Sequence, residues 1–136
     1  GGTAVTEGGT ADTYDLLLAS EPTANVTVTL NAEAGIGVSP GSLVFSPSNW
    51  NQAQTVTVTA TDDNLVEGPN SALISHTLGS TDPAYGSLPG TQITVAITDN
   101  DSAVVSFAST SVSQLEAMSP MVFTVTLSNP VASGVT

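Results

Sequence analysis

The chain contains no lysine, no arginine and no cysteine, and only six of its 136 residues are aromatic. Without basic side chains it cannot neutralise nucleic-acid phosphates, form a Schiff base or clamp a phosphate with arginine. Without cysteine it has no disulfides, thiolate zinc sites or cysteine nucleophiles. It would be repelled by an anionic membrane, and it contains no run of about 18 apolar residues. We therefore expect no nucleic-acid partner and no direct membrane insertion.

The charged residues are all acidic, and β-branched residues are abundant. Twelve Asp and Glu side chains give a formal net charge of −12. Such self-repulsion destabilises a compact domain, so we expect a divalent cation to supply the missing positive charge. The hydrophobic content of 40% is sufficient for a packed core and argues against a disordered chain.

Apolar residues alternate with threonine along much of the chain. Val26–Leu30 and Thr55–Thr59 place valine or leucine on one face and threonine on the other, which is typical of strands with one buried face. The predicted strands are a stub at Thr3–Thr6, then Tyr14–Ser20, Asn25–Asn31, Ser42–Ser46, Gln54–Thr61, Ser71–Gly79 and Thr91–Thr98. Many short strands at regular spacing predict an all-β fold, an antiparallel β-sandwich of about seven strands.

The opening of the chain recurs near its end. Val112–Glu116 resembles Ala4–Glu7, and the segments that follow each of them also correspond. We therefore predict a tandem repeat, in which residues 1–101 form one unit that lacks most of its first strand. Residues 102–136 would be the opening strands of a second unit. The alternative is that residues 103–136 donate a strand to a neighbouring copy.

The predicted strand directions bring most of the acidic residues to one end of the sandwich. Successive strands alternate in direction, so the loops that follow every second strand meet. Seven of the twelve acids fall in these loops: Glu7, Glu33, Asp62, Asp63, Glu67, Asp99 and Asp101. Calcium binds roughly six to eight oxygen ligands, whereas zinc and copper prefer His or Cys. We predict Ca²⁺ at this end, and the alternative is a solvated acidic rim.

A longer pattern surrounds these acids. The segment Leu43–Val58, with Trp50 near its centre, is followed by Asp62–Gly68 and later by Thr98–Asp101. In this order the segments resemble the Calx-β family, especially the bacterial tandem repeats of large surface and RTX-type adhesins. The likeness covers most of residues 3–101. It implies an immunoglobulin-like sandwich of seven strands that binds calcium at one end.

The resemblance also implies a set of metal ligands. The matching positions are Glu7, Asp62, Asp63, Glu67, Asp99 and Asp101, with Glu33, Asn100 and Glu116 as weaker candidates. This sequence departs from the family in the second of the loops that meet at this end of the sandwich. Gly35–Gly37 stands where well-charged members carry an aspartate. We therefore expect about one or two calcium ions rather than several.

The remaining polar and aromatic candidates fit structural roles better than chemical ones. We expect Trp50 to cap the core beside a hairpin, and Tyr14 and Tyr85 to be packing residues. His76 lies on the apolar face of its strand, which indicates burial rather than catalysis. The sequence has no Gly-x-Ser-x-Gly nucleophile elbow. We expect no enzymatic activity.

Together these observations predict a calcium-binding structural repeat of a secreted cell-surface adhesin or extracellular filament. Calcium would stiffen the units and their junctions. The expected partners are neighbouring repeats or copies of the chain itself, with a cell-surface or matrix ligand as a further candidate. One alternative is a fibre subunit that assembles by strand exchange through residues 103–136. Another is a carbohydrate- or protein-binding accessory module. The expected location is secreted, at the extracellular cell surface.

Overall fold

The computed structural model describes residues 2–107 and 124–131. The chain divides into two units. Unit 1 comprises Gly1–Asp63 and Gly68–Asp99, and unit 2 comprises Asn64–Glu67 and Asn100–Thr136. Among the described residues, no helix has the length and hydropathy required to cross a bilayer.

Unit 1 is built from two β-sheets. Its elements are β1 (Thr3–Thr6), β2 (Asp12–Leu16), β3 (Val26–Ala32), β4 (Ile36–Ser39), β5 (Ser42–Phe45), β6 (Gln54–Ala60), β7 (Asn70–Ser80), α1 (Pro83–Gly86) and β8 (Thr91–Thr98). A five-stranded sheet has the order β1-β8-β7-β3-β5, and a three-stranded sheet has the order β2-β6-β4. The β1–β8 pair is parallel, and the other pairs of these two sheets are antiparallel. The predicted all-β sandwich is confirmed, with eight strands in unit 1 rather than about seven.

The core lies between the two sheets and follows the period-two pattern of the sequence. Among the described residues, the completely buried side chains of this core include Val26, Phe45, Val56, Val58, Ile74 and Val95. Each such side chain stabilises the fold by about 1.5–3 kcal/mol through removal of apolar surface from water. Trp50 is partly buried and packs against this core, as predicted. Threonines such as Thr29 and Thr59 occupy the exposed positions between the buried ones.

Strand β4 was not predicted. Its short sequence contains Gly37 and follows Gly35, which has φ +89°, and glycine weakens the strand signal. β4 is antiparallel to β6, and β5 is antiparallel to β3. Because β3 and β6 run in the same direction, β4 and β5 also share one direction. The chain passes from β4 in one sheet to β5 in the other through the Ser39–Pro40 segment. The missed strand therefore does not invert the direction of any later strand.

Most predicted strand ends differ from the structure by one or two residues, one strand ends four residues early, and one helical turn was missed. The strand predicted at Tyr14–Ser20 ends at Leu16, because the backbone N–H of Leu18 donates to Trp50 O at 3.0 Å instead of continuing the sheet. The helical turn α1 was also missed. Its start was present in the sequence as Asp82 followed by Pro83, an N-cap residue before a proline at the first helical position.

In unit 2 the described residues form a two-stranded antiparallel ribbon of β9 (Val105–Phe107) and β10 (Val125–Leu127). Val66 N–H donates to Pro130 O at 2.8 Å, and Val66 pairs with Val131. Much of the predicted second repeat lies outside the described residues. The repeat and the 1–101/102–136 division therefore stay predictions.

Candidate functional site

One end of unit 1 carries several of the predicted metal ligands, because β1, β3, β6 and β8 all run towards it. Glu7 follows β1, and its backbone N–H donates to Thr98 O at the end of β8 at 3.1 Å. The Glu7 side chain is only 7% exposed. Carboxylate oxygens of Glu7 and Asp63 lie within 4.8 Å of each other. Two ligands of one calcium ion, each at roughly 2.3–2.6 Å, can have this separation. The pair fits an oxygen-ligated cation, and calcium binding stays a prediction.

Asp62 lies against Gly8, next to Glu7. Gly8 has φ +56°, and a Cβ atom at this position would overlap the Asp62 carboxylate. Only glycine adopts this backbone conformation freely and leaves room for the carboxylate. The structure therefore brings Glu7, Asp62 and Asp63 to one place. We call them the acidic end.

Two further predicted ligands of unit 1 are held by backbone hydrogen bonds. Asp99 accepts a hydrogen bond from Gly68 N–H at 2.8 Å, and Gly68 has φ +75°. Glu33 accepts from Leu73 N–H at 2.8 Å, while its own N–H donates to Leu73 O at 3.0 Å. Glu33 therefore extends the β3–β7 ladder beyond the strand end, which explains why an acid occurs there.

The other predicted ligands belong to unit 2 or lie outside the described residues. Glu67 and Asn100 are exposed, and Asp101 is half-buried. The Asp101 carboxylate accepts a hydrogen bond from Asn129 Nδ2 at 3.2 Å. Glu116 lies outside the described residues.

The opposite end of unit 1 contains an apolar groove of about 370 Å³. Its floor crosses four neighbouring strands of the five-stranded sheet. The lining residues are Leu16, Leu17, Leu18, Val28, Phe45, His76, Leu78, Leu88, Pro89 and Thr91. Leu17 and Leu88, on its two walls, are 56% and 47% exposed. The groove therefore opens to solvent and presents apolar side chains there. Sequence reasoning missed it, because its residues come from five separate parts of the chain.

A polar pair sits at the groove. His76 is 3% exposed, and its Nε2 is hydrogen-bonded to Tyr14 OH at 2.7 Å. The two rings meet edge to face at 5.7 Å. Burial raises the pKa of Tyr14 to about 12, so the hydroxyl stays protonated. His76 Nδ1 is buried without a hydrogen-bond partner among the described residues. In either tautomer it retains an unused donor or acceptor.

The two walls of the groove are tied together just beyond it. Tyr85 is 7% exposed, and its hydroxyl donates to Ser20 O at 2.6 Å. The same hydroxyl is hydrogen-bonded to Ser20 Oγ at 2.8 Å and accepts from Ser20 N–H at 3.3 Å. Ser20 follows the Leu16–Leu18 wall, and Tyr85 precedes the Leu88–Pro89 wall. We call these contacts, together with those of Asp82, the loop clamp.

Asp82 completes the loop clamp. Its carboxylate accepts from Thr23 N–H at 2.6 Å and from Ala84 N–H at 2.8 Å, so it caps α1 and fixes the β2–β3 loop. These backbone donors hold the pKa of Asp82 below its ordinary value. The segments beside the groove walls are therefore held by partly buried side-chain hydrogen bonds.

No family model matches the chain, and no curated protein matches it. Several solved structures share its fold. The CupB2 chaperone of Pseudomonas aeruginosa matches with a TM-score of 0.56 at 7% identity, over 72% of this chain and 53% of that one. The E. coli chaperone DraB matches with a TM-score of 0.53 at 10% identity, over 79% of this chain and 61% of that one. The third is the CsuC–CsuE chaperone–tip adhesion subunit pre-assembly complex from archaic chaperone-usher Csu pili of Acinetobacter baumannii. It has a TM-score of 0.53 at 10% identity, over 79% and 62% of the two chains.

These matches show an immunoglobulin-like fold, as predicted. The chain spans about half to three fifths of the length of these three structures. The function predicted from the sequence, a calcium-binding structural repeat of a secreted adhesin, is wrong, because the three similar structures reported above are two chaperones and a complex of a chaperone with a tip adhesion subunit. The comparison does not support the two alternatives either, a strand-exchanging fibre subunit and a carbohydrate- or protein-binding accessory module. The resemblance to the Calx-β family stays a prediction.

Proposed function

We propose that unit 1 is a chaperone-type module that holds an apolar segment of a partner polypeptide. The observation that carries this proposal is the apolar groove, which opens to solvent between the Leu16–Leu18 and Leu88–Pro89 walls. Covering exposed apolar surface with another apolar group is favourable by roughly 25 cal/mol per Å², so an apolar segment of a partner gains from entering the groove.

The rigidity of the groove supports the proposal. The loop clamp fixes the segments beside both walls through Tyr85 and Asp82, each of which is at most 7% exposed. A groove that is already formed does not have to be ordered when the partner arrives, so less of the interaction energy is lost on binding.

The fold likeness adds weaker support. Two of the similar structures are chaperones, and a third is a chaperone bound to a tip adhesion subunit. Proteins with this sandwich can therefore hold another polypeptide.

Suppression of aggregation tests the proposal. Insulin is reduced with dithiothreitol so that its B chain aggregates, and light scattering is followed with increasing amounts of the chain. The reductant leaves this protein chemically unchanged, because it has no cysteine. We expect scattering to fall as the chain approaches a molar excess.

Two matched variants locate the effect. Leu17→Asn removes an apolar side chain that is 56% exposed on the groove wall, and Val44→Asn removes one that is 47% exposed on β5, outside the groove. Both should leave stability nearly unchanged. We expect Leu17→Asn to lose most of the suppression and Val44→Asn to keep it. Equal suppression by both variants, or none by the unaltered chain, refutes the proposed function.

A further inference from the structure

We propose that the apolar groove binds an extended segment of a partner polypeptide as an added β-strand, antiparallel to Leu16–Leu18. Two apolar residues of this segment, separated by one residue, face the groove. This inference rests on the proposed function and names the binding mode and the residue pattern of the partner. It follows from the open edge of β2 and from the strand that covers the corresponding edge in unit 2.

Strand β2 lies at the edge of the three-stranded sheet, where only β6 pairs with it among the described residues. Near the start of β2 the Asp12 carboxylate accepts from Ala4 N–H at 3.0 Å and from Thr13 N–H at 2.8 Å, so these backbone donors are satisfied. Beyond the other end of the strand, Leu16–Leu18 line the groove. An edge of this kind accepts a further strand through its outward N–H and C=O groups.

The hydrogen bond of Leu18 shows which backbone groups face the open edge. Leu18 N–H donates at 3.0 Å to the carbonyl oxygen of Trp50, in the segment that leads into β6. The alternating exposure of Leu16, Leu17 and Leu18 is that of an extended chain. Successive N–H groups of such a chain point to opposite edges, so Leu17 N–H points away from β6. Within the described residues the Leu17 backbone makes no hydrogen bond.

In unit 2 the corresponding edge is covered by a strand of the chain itself. The predicted repeat relates Glu7 to Glu116, an offset of 109 residues. At this offset Leu16–Leu18 corresponds to Val125–Leu127, which is β10. Strand β9 pairs antiparallel with β10. An extended segment can therefore cover this edge, and unit 2 gives its direction.

The backbone groups of the two units agree as well. Ser128 N–H donates to Val104 O at 3.1 Å. Hydrogen-bonded positions alternate along an antiparallel pair, so Thr126 also directs its N–H towards β9, where it lies opposite Ser106. Thr126 corresponds to Leu17. The residue that bonds to the covering strand in unit 2 is therefore the one whose N–H faces the open edge in unit 1.

The alternation of β9 gives the pattern of the partner segment. Val105 and Phe107 occupy alternate positions of this strand, with Ser106 between them. Paired residues of neighbouring strands lie on the same face of a sheet. Leu16 and Leu18 are half-buried and buried, respectively, and both line the groove. Two apolar residues placed opposite them, one residue apart, therefore also face the groove.

A separate polypeptide supplies the segment more readily than a second copy of this chain. Strand β9 is already paired with β10 in its own chain. A second copy would have to break this ribbon before its β9 could enter the groove. A partner with an unpaired extended segment loses no such pairing when it binds.

Fluorescence anisotropy of labelled peptides tests the inference. The probe has the sequence of residues 102–109, Ser-Ala-Val-Val-Ser-Phe-Ala-Ser. Two modified peptides each carry one backbone N-methyl group, at the position of Ser106 or at that of Val105. The first modification removes the N–H that faces Leu17, and the second removes one that faces away. We expect the first to weaken binding by about tenfold and the second to change it by less than about twofold.

Variants of the protein distinguish this inference from the proposed function. Leu17→Asn should weaken the unmodified peptide, and Val44→Asn should not. If all three peptides bind equally and all lose affinity with Leu17→Asn, strand pairing is refuted while the groove keeps its proposed function. If Leu17→Asn changes no affinity, the peptide binds elsewhere and the inference is refuted. If the unmodified peptide does not bind, the inference is also refuted, and the insulin assay alone then judges the proposed function.

Size-exclusion chromatography with light scattering identifies the source of the segment. We expect the chain to be monomeric, because β9 is paired within its own chain. A dimer that the unmodified peptide dissociates would show that a second copy occupies the groove. That result would refute a separate polypeptide as the occupant.

Discussion

The hydroxyl of Tyr85 offers the sharpest test of how the loops of unit 1 are held. It makes hydrogen bonds to three atoms of Ser20, at 2.6, 2.8 and 3.3 Å, from a side chain that is 7% exposed. Tyr85→Phe removes these bonds and keeps the buried ring. A net hydrogen bond contributes about 0.5–1.5 kcal/mol, and Ser20 is exposed enough for water to replace part of the loss. We therefore expect the free energy of unfolding to fall by about 1–2 kcal/mol.

Urea denaturation measures this change. Trp50 is the only tryptophan and is partly buried, so its fluorescence reports unfolding of unit 1. In Tyr85→Phe the urea midpoint should fall, while the slope of the free energy of unfolding against urea concentration stays constant. The melting temperature should drop by about 4–8 °C for each kcal/mol of lost stability in a domain of this size.

Ser20→Ala is the matched control for Tyr85→Phe. It removes only the 2.8 Å contact with Ser20 Oγ, so its cost should be smaller. Because the two residues form one network, the double variant should cost less than the sum of the single ones. A loss below about 0.5 kcal/mol for Tyr85→Phe, or strict additivity, would refute the role of the loop clamp.

Three further predictions concern other parts of unit 1. Gly8→Ala should lower the free energy of unfolding by about 1–3 kcal/mol, because φ of Gly8 is positive and an added Cβ atom would overlap Asp62. The control Gly41→Ala should be nearly neutral in the same urea assay, because nothing lies within 4 Å of a Cβ atom added there. Asp82 has a lowered pKa in the folded state, so its contribution is complete above its ordinary pKa of about 3.9 and is lost as the pH falls through the lowered value. The gap in melting temperature between the unaltered chain and Asp82→Asn should therefore be constant at neutral pH and close below about pH 4; a gap that widens in acid contradicts this account. If calcium binds at the acidic end, calcium at about a hundred times its Kd should stabilise the chain by about 2.7 kcal/mol relative to EDTA at equal ionic strength. Glu7→Gln should reduce this stabilisation. A melting temperature that does not change with calcium would refute the predicted calcium site.

The sequence predicted those parts of the fold that depend on local alternation. Val26–Leu30 and Thr55–Thr59 could be assigned to strands because their period is two, and the direction of each strand then placed Glu7 and Asp63 at one end. β4 was missed because Gly35 and Gly37 interrupt the pattern. The directions of the other strands were still predicted correctly, because β4 and β5 run in the same direction in different sheets.

The groove and the loop clamp could not be predicted in this way. Their contacts join residues far apart in the chain, such as Ser20 with Tyr85 and Tyr14 with His76. Neither pair has a local signature, because the sequence around a tyrosine does not show whether its buried hydroxyl has a distant hydrogen-bond partner. The wrong functional prediction has the same origin. The acidic residues form a visible pattern, whereas the apolar groove exists only after the sheet has brought its strands together.

Strand β8 separates the two ends of unit 1. Thr91 at its start lines the groove, and Thr98 at its end accepts the hydrogen bond from Glu7. Thr91 and Thr98 are the first and last of its eight residues, so they lie about 23 Å apart at about 3.3 Å per residue. The screening length is about 8 Å at physiological ionic strength and about 30 Å at 0.01 M. In physiological salt a molecule at the groove therefore responds only to charges within about 8 Å of it. In very dilute buffer the electrostatic field of the acidic end also reaches the groove. Ionic strength therefore determines how many of the protein's carboxylates act on a molecule bound there.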